Sequence, residues 1–405
     1  MATLLKIAWR NIWRHKVRSR LIVFSVAFGI WAGLFMQGYV NGMAEGRIRI
    51  AIQNELSHLQ IHHPAFKKDM EPVFVIHDAS GIRTFIEKSP AIKAVTLRHV
   101  AKGMVASPVA TAGIKINGII PGQEVNVTAI RDKIIDGDFF PGKSRNEMLM
   151  GEKLSRKLKV KTGDKVVITL VDRENNITSG AFRVKGLYRT SNAPYDESNV
   201  FVDESTLYPL TTGTPEYNEI AILLKDNKDL AGFASTLKKQ YPGLLVESWR
   251  ELAPELDLTI STVRQSMVIF MGIIMLALAF GIINTMLMAV LERTRELGML
   301  MALGMTKGRI FLMIFYETIL LVFTGTPFGV LAGAMTVYYF NVHGIGLSRW
   351  KDVYESFGYS DVVRTSVNKE DYWVIIILVV ITALVSSLFP ARKAVRLNPA
   401  EAIRK

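Results

Sequence analysis

Four long stretches with almost no charged side chains constrain this chain more than any other feature of its sequence, and Glu317 in the third is their one charged residue. Each stretch is long enough to cross ~30 Å of hydrocarbon as a helix at ~1.5 Å per residue. Core helices of a large soluble protein are the alternative, but helices in globular proteins average only about 10 to 14 residues. We therefore predict a membrane protein with transmembrane helices at 21–44, 265–291, 310–340 and 372–391. For the first stretch, a cleaved signal peptide is the alternative. No small-x-small cleavage site stands out near its end, which favours a transmembrane helix that is retained.

The basic residues predict the orientation of these helices. Residues 1–20, 292–309 and 392–405 contain fifteen Lys and Arg against three acidic residues, which accounts for +12 of the net charge of +13. Excess Lys and Arg marks the cytoplasmic side of a membrane. Both termini and the 292–309 loop are therefore expected inside, with 45–264 and 341–371 outside. The basic balance is thus a topology signal and does not call for nucleic-acid binding. The chain has no Cys, so disulfides and thiol chemistry are excluded.

The segment 45–264 is predicted to be a stalk and an α/β domain. Apolar residues at helical spacing continue past the first span to Leu56 and precede the second from Leu252, which predicts two helices extending about four turns, or ~24 Å. Between them, short β-type runs such as HLQIHH, KVVITLVD, AFRVKGLY, NVFVD and EIAILLK predict a strand-rich α/β fold in two subdomains, one at about 58–130 with 215–250 and the other inserted between.

Two further segments carry a local prediction. Trp9 and Trp13 lie four residues apart among basic residues within 1–20, a pattern typical of an amphipathic helix at the membrane interface. Gly325 and Pro327 lie inside the third predicted span, and they predict a kink or break there.

The sequence contains no convincing catalytic or metal-binding constellation. Gly137–Ser144 reads GDFFPGKS and matches the G-x-x-x-x-G-K-S phosphate loop, but that motif requires a helix starting at the Lys. NEMLMGEK follows instead, and the predicted orientation places the segment away from cytoplasmic ATP, so we interpret the match as a coincidence. His58, His62 and His63 cluster in one strand-like run, where at most the first two share a face, and we predict satisfied surface histidines rather than ligands.

Two features on the cytoplasmic side are stronger candidates. Glu317 lies about seven residues, or ~10 Å, into the third span, and an intramembrane carboxylate is usually functional or paired. Functional contact and structural pairing both remain open for it. The loop from Glu292 to Gly304 begins with mixed charge and continues with apolar residues. This pattern predicts a short amphipathic helix to which a partner could bind.

Several motifs resemble the FtsX-like (MacB/LolE-type) ABC-transporter permeases. ERTRELGMLMALGMTKGRI is similar to the signature of that family, FPARKAVRLNPAEAIRK to its closing motif and AWRNIWRHKVRSRL to its opening one. LSHLQIHH, MGEKLSRKLKVKTGDKVVI and GLYRTSNAPYDESNVFVD resemble the outer domain of lipoprotein-release permeases. The likeness spans essentially the whole chain, in the right order.

The resemblance implies a non-catalytic subunit in the bacterial inner membrane, with its large domain in the periplasm. It implies pairing with a second permease and with two copies of a cytoplasmic ABC ATPase, which binds the ATP and Mg²⁺, so that this chain needs no cofactor of its own. Membrane lipids and a lipoprotein or amphiphilic substrate are the remaining expected partners. The residues it implies for ATPase coupling are Glu292, Arg293, Thr294, Arg295, Glu296, Leu297, Gly298, Met301, Leu303 and Gly304.

Extraction of lipoproteins from the outer leaflet, driven by mechanotransmission through the stalks, is the leading functional hypothesis. MacB-like efflux of peptides or amphiphiles is the first alternative, although such systems usually carry their ATPase at the N-terminus, where this chain has 20 residues before its first span. Signalling to a periplasmic cell-wall hydrolase is another, although its relatives usually have a smaller outer domain. An ATP-binding enzyme built on the GDFFPGKS motif is the least favoured.

Overall fold

The computed structural model describes residues 2–14, 16–140 and 146–396, with side chains from residue 6 onward. The last part of the FPARKAVRLNPAEAIRK motif and Pro141–Ser144 of the GDFFPGKS motif lie outside the described residues. The α-helices are α1 (Ala2–Arg14), α2 (Lys16–Ile50), α3 (Phe66–Asp69), α4 (Ala79–Glu87), α5 (Pro121–Val127), α6 (Glu152–Leu158), α7 (Ala193–Ser198), α8 (Glu204–Leu207), α9 (Leu230–Gln240), α10 (Trp249–Leu252), α11 (Pro254–Glu292), α12 (Thr294–Ala302), α13 (Lys307–His343), α14 (Lys351–Ser356) and α15 (Lys369–Val395).

The β-strands of the described residues fall into one large sheet and one short pair. They are β1 (Leu59–His62), β2 (Ile92–Ala106), β3 (Thr111–Ile119), β4 (Ile134–Gly137), β5 (Glu147–Gly151), β6 (Lys165–Val171), β7 (Ile177–Tyr188), β8 (Asn199–Asp203), β9 (Glu219–Leu224), β10 (Leu245–Ser248), β11 (Ile345–Gly346) and β12 (Val362–Val363).

Among the described residues, four helices are long and apolar enough to cross a membrane, which confirms the predicted fold class. They are α2, α11, α13 and α15, and each contains one of the predicted spans. The first is longer than its predicted span at both ends: it begins at Lys16, and a π-helical turn at Ala51–Leu56 extends it to the residues before β1. The N-terminal helix α1 packs against α13, with Ala8 and Ile12 buried and Trp9 and Trp13 exposed.

The third span is not broken at Gly325 and Pro327, because α13 runs as one helix from Lys307 to His343 with Pro327 inside it, while a kink there stays a prediction. Gly325 serves close packing instead, together with Gly329 and Gly333 on the same face of the helix. A Cβ on Gly329 would lie 2.7 Å from the carbonyl oxygen of Ala27 on α2. Small residues at this spacing allow two membrane helices to approach until their backbones touch.

Residues of the chain divide into two compact units. The helical unit comprises Met1–Ala44, Ile260–Gly346 and Val362–Lys405, and the sheet unit comprises Glu45–Thr259 and Leu347–Asp361. The segment predicted as one outer loop, 341–371, is therefore divided, and its middle part packs with the sheet unit through contacts between α14 and α7.

The sheet unit is built on one mixed sheet, which in the described residues has ten strands in the order β10-β1-β9-β2-β3-β8-β5-β7-β4, with β6 pairing β2 and β7. All neighbours are antiparallel except the parallel pairs β3–β8 and β5–β7. Each β-type run quoted from the sequence in this region contains a strand, namely β1, β6, β7, β8 and β9. The sequence did not single out the longest pairing, between β2 and β3, in which Arg98 lies opposite Ile119 and Ala106 opposite Thr111.

Separate hydrophobic cores lie on this continuous sheet. One is formed by residues before 98 and after 219, including Leu59, Ile86 and Ile222. Another is formed by residues between 105 and 207, including Leu154 and Phe182. The second core therefore comes from a chain segment inserted into the first, while the strands of both belong to the same sheet.

Candidate coupling site

Glu317 is paired with two arginines inside the helical unit. Its side chain lies on α13 and is 2% exposed. Arg18 of α2 donates a hydrogen bond from Nη2 to Oε1 at 2.6 Å. Arg293, between α11 and α12, donates from Nη1 to both carboxylate oxygens at 3.3 Å. One carboxylate thus joins α13 to α2 and to the junction between α11 and α12.

The network extends to the N-terminal helix. Arg293 Nε lies 3.8 Å from Glu296 Oε2, and Glu296 Oε1 lies 3.4 Å from Arg14 Nη1. Arg18 and Arg293 are both buried, so their charges depend on Glu317 for compensation. The two arginines carry one more positive charge than this carboxylate neutralises. We call Arg18, Glu317 and Arg293 the Glu317 cluster.

The predicted amphipathic helix is present as α12 and ends in a glycine motif. Gly304 has φ +91°, a conformation that side-chain-bearing residues rarely adopt. The Gly304 N–H bonds to the carbonyl of Met301 and the Met305 N–H to that of Leu300, at 3.1 and 3.0 Å. These bonds are the paired pattern of a Schellman motif, which satisfies the last carbonyls of a helix.

The two faces of α12 have different environments. Leu297 and Gly298 are buried, and Met301 packs against the core of the helical unit. Arg295, Met299 and Leu303 are exposed, and at spacings of four residues they lie on one face of the helix. Leu303 is 85% exposed. We call these three residues the α12 outer face.

The structure divides the residues predicted for coupling into two groups. Arg293 and Glu296 join Glu317 in the ion network, so Arg293 is buried within the permease and does not present its charge to a partner. Arg295 and Leu303 remain accessible. The sequence analysis did not identify Met299, although Met299 lies four residues from both Arg295 and Leu303, a spacing that predicts a shared helix face. Arg18 was also missed, because within the basic leader it was counted only as a topology residue.

A cavity of about 620 Å³ lies between α2, α11 and α15 in the helical unit. Met267, Met271 and Met275 form much of its apolar wall, and all three are buried. Arg264 and Asp371 lie at the polar part of its lining, where Asn41 Nδ2 donates to Asp371 Oδ2 at 2.9 Å. The cavity is therefore amphipathic and within the size range of ligand sites. The sequence analysis did not identify it.

His58 and His62 are buried rather than on the surface, which corrects the sequence prediction, while His63 is partly exposed. β1 lies between β10 and β9, so His58 and His62 are only 9% and 5% exposed. His58 Nδ1 accepts a hydrogen bond from the Leu224 N–H at 3.1 Å, and burial lowers the pKa of His58. His62 Nε2 lies 3.3 Å from Glu219.

Glu219 belongs to a second ionic cluster, which is buried in the sheet unit. Arg98 Nη1 donates to Glu219 at 2.6 Å and Arg98 Nη2 to Glu124 at 2.7 Å. Burial acts to raise the pKa of Glu219, but Lys115 and Arg98 outweigh it and hold this pKa well below its usual value. The sequence analysis did not identify this cluster, whose members are far apart along the chain.

The described residues that follow the GDFFPGKS motif form a strand. β5 begins at Glu147, and α6 begins only at Glu152. A phosphate loop needs a helix N-terminus directly after its Lys, so that backbone N–H groups point at the phosphate. This arrangement supports the interpretation of the motif as a coincidence.

Comparison with known proteins links both units to membrane transport systems. Residues 19–240 match the MacB-like periplasmic core domain, and residues 268–399 match the FtsX-like permease C-terminal family. The chain is 23% identical to the lipoprotein-releasing system transmembrane protein LolC of Neisseria meningitidis, over 94% of this chain and 92% of LolC. It is 23% identical to the macrolide export ATP-binding/permease protein MacB of Escherichia coli, over 98% of this chain and 59% of MacB. The periplasmic region of MacB from Actinobacillus actinomycetemcomitans aligns with a TM-score of 0.35 at 13% identity, over 55% of this chain and 97% of that region.

Proposed function

The chain belongs to the MacB/LolE-type family of FtsX-like ABC transporter permeases, and on this premise we propose that it releases lipoproteins from the outer leaflet of the bacterial inner membrane. A family of this kind implies an ATPase partner and a transported substrate. In the proposal, a separate cytoplasmic ATPase, present in two copies, drives a pair of such permeases by mechanotransmission. ATP and Mg²⁺ belong to that partner.

The Glu317 cluster is the observation that carries the proposal. Arg293 directly precedes α12, so a force applied to α12 is transmitted to Arg293. Glu317 connects Arg293 to α13 and α2. α2 and α11 are each continuous well beyond the length needed to cross the membrane. Packed helices joined by a buried ion network move as a group, because separating the ions in an apolar environment is costly. A movement of α12 would therefore displace several helices together.

The α12 outer face is the proposed contact with the ATPase. Met299 and Leu303 are exposed apolar side chains beside the charge of Arg295, and they lie on the segment that the net charge assigns to the cytoplasm. Apolar anchors beside an Arg are typical of the energetically important centre of a protein interface. The buried Arg293 would act indirectly, by holding α12 against the permease.

The amphipathic cavity supports a lipid-linked substrate. Its methionine wall extends from Met267 to Met275 of α11, about 12 Å of helix, and flexible thioether side chains adapt to chains of varied shape. The polar side chains of Arg264 and Asp371 would bind the polar head group of an amphiphile. A lipoprotein has both parts, an acylated end and a polar peptide.

Export of a soluble amphiphile is the second candidate, because the similarity to MacB equals that to LolC in percentage identity. The cavity suits both kinds of molecule. The substrate that stimulates ATP hydrolysis distinguishes them: a triacylated lipopeptide for release, or a macrolide for export.

A reconstituted complex tests the proposal. The chain is co-expressed with each candidate ABC ATPase of its own genome, and both retention of the ATPase and hydrolysis in proteoliposomes are measured. We expect Met299→Glu to lose the ATPase, whereas Val109→Glu, an exposed apolar residue of the sheet unit, retains it. Full retention of the ATPase by Met299→Glu would refute the assigned contact, and no ATPase association in the wild type would refute the proposed function.

The cavity is tested by filling it. Met271→Trp should reduce the stimulation of ATP hydrolysis by a triacylated lipopeptide, because the indole occupies space that the acyl chains need. Ile269→Trp is the matched control, since Ile269 is on the same helix but 68% exposed. Equal stimulation in the two variants would show that the substrate does not enter this cavity.

A further inference from the structure

A second cavity of the helical unit has the chemistry of an anion site. It has a volume of about 750 Å³ and lies between the first turns of α2 and the last turns of α11. Arg14, Lys16 and Arg18 line it, against one carboxylate, Glu292. The charged side chains that line it sum to about +2 when all are ionised, and Glu296 and Glu317, which pair with Arg14 and Arg18, offset part of this charge.

Arg18 has unused hydrogen-bonding capacity beside this cavity. It is 9% exposed, and its Nη2 is occupied by Glu317. Within the described part of the chain, Nε and Nη1 of Arg18 have no hydrogen-bond partner. Buried guanidinium N–H groups without acceptors are energetically unfavourable, so this arrangement favours a ligand that supplies oxygen atoms.

The remaining lining residues of the cavity indicate which phosphate-bearing ligand fits it. Val17, Leu21 and Met288 are exposed apolar side chains that line the cavity. Asn284, an exposed amide on an otherwise apolar stretch of α11, also lines it. A free phosphate ion would leave the apolar walls unused, whereas a phospholipid places its phosphate near the cations and its acyl chains along those walls.

We propose that this cavity binds the phosphate head group of an anionic membrane phospholipid, with its acyl chains packed along α2 and α11. Basic pockets between transmembrane helices at the cytoplasmic end of the spans are suited to anionic lipid head groups. Bound lipid would also hold Arg18 next to Glu317, since one guanidinium would contact both anions. The site is separate from the methionine-lined cavity and from the α12 outer face.

Lipid retention measures this site without depending on transport. The full chain is purified in mild detergent, supplied with equal amounts of phosphatidylglycerol and phosphatidylcholine, and analysed by native mass spectrometry. We expect preferential retention of phosphatidylglycerol by the wild type. Lys16→Gln should weaken that retention about fivefold, the loss of one cation near an anionic lipid. Asn284→Leu should weaken it as well.

Arg20→Gln is the matched control, because Arg20 is an exposed cation on the same helix that does not line the cavity. It should retain lipid as the wild type does. A thermal-unfolding measurement gives an independent readout: phosphatidylglycerol should raise the Tm of the wild type more than that of Lys16→Gln.

Three results would overturn the proposal. Equal loss in Lys16→Gln and Arg20→Gln would indicate general surface charge rather than a site. Displacement of the lipid by inorganic phosphate alone would identify a free-phosphate site. Association of two permease chains that depends on Lys16, without retained lipid, would assign the cavity to a protein partner. Absence of ATPase association would contradict the proposed function but leave this lipid test intact.

Discussion

Replacing Glu317 by Gln should destabilise the helical unit more than any other single change in the Glu317 cluster. Gln keeps the size of the side chain and removes its charge. Arg18 and Arg293, both buried, then lose the carboxylate that they share, while the partly exposed Glu296 stays 3.8 Å from Arg293 Nε. Removing one partner of a buried ion pair costs about 3–5 kcal/mol, and because two arginines lose the same partner we expect the upper end of that range.

The two arginines should rank below Glu317 and differ from each other. Arg293→Gln leaves the Arg18–Glu317 pair at 2.6 Å intact, so its cost should be about 2 kcal/mol, the loss of hydrogen bonds to a charged group. Arg18→Gln removes the shorter contact and leaves the Arg293–Glu317 contacts at 3.3 Å. The loss of unfolding free energy in Arg18→Gln should therefore lie between the losses in Arg293→Gln and Glu317→Gln.

Thermal and denaturant unfolding of the purified chain in one detergent measures this order. Glu370→Gln is the control, because Glu370 is an exposed carboxylate in the first turn of α15 and such changes usually stay within about 0.5 kcal/mol. The double variant Glu317→Gln with Arg293→Gln completes a double-mutant cycle. It should be more stable than Glu317→Gln alone, since one uncompensated charge is removed.

A different order would refute this reasoning. If Glu317→Gln unfolds like the Glu370→Gln control, the carboxylate is not the counter-ion of two buried arginines. If the double variant is less stable than Glu317→Gln alone, packing and hydrogen bonds rather than charge determine the cost. Loss of ATPase coupling without loss of stability would assign the cluster a purely functional role.

Three further expectations follow from single sites. Gly329→Leu should lower the unfolding free energy by about 3 kcal/mol or more, because the new side chain would overpack against Ala27. Gly272→Leu should not lower it, because Gly272 faces open space. Thermal unfolding of the two variants measures the difference. Gly304→Ala should cost about 1–2 kcal/mol at its positive φ and reduce ATPase retention in pull-downs. Burial lowers the pKa of His99, so unfolding free energy should fall as pH drops below about 6.5. His99→Gln should reduce that slope in denaturant titrations, and the part that stays is expected from His58, whose pKa burial also lowers.

The reasoning behind the His99 expectation lies in its contacts. His99 Nδ1 lies 2.7 Å from the Glu216 carbonyl and Nε2 lies 2.7 Å from Thr211 Oγ1. With Nδ1 protonated, Nε2 accepts from the hydroxyl, and the neutral ring satisfies both contacts. Protonation is therefore opposed in the folded state, and the stability present above the unfolded pKa is lost as the pH falls through it.

Local properties of the chain were predictable from the sequence. The four spans follow from long apolar stretches with at most one charged residue, and five strands of the sheet unit follow from short β-type runs between turn residues. Both depend on neighbours within about 20 residues. The inside assignment of the termini rests on the same local counting of Lys and Arg, and it stays a prediction. α12 and its glycine end were likewise visible in the order of residues from Glu292 to Gly304.

Other features depend on residues that are far apart in sequence. The sequence presented Arg18, Arg293 and Glu317 as members of three separate segments, and Arg293 as a contact for a partner. Close packing of α13 on α2 through its glycines accompanies the Arg18–Glu317 bond, although the two residues are 299 positions apart. Hydrophobic length and charge determine that a helix crosses the membrane, but they do not determine which faces meet. Tertiary packing alone decided that Glu317 is paired, that Arg293 is internal and that Arg295, Met299 and Leu303 remain available to a partner.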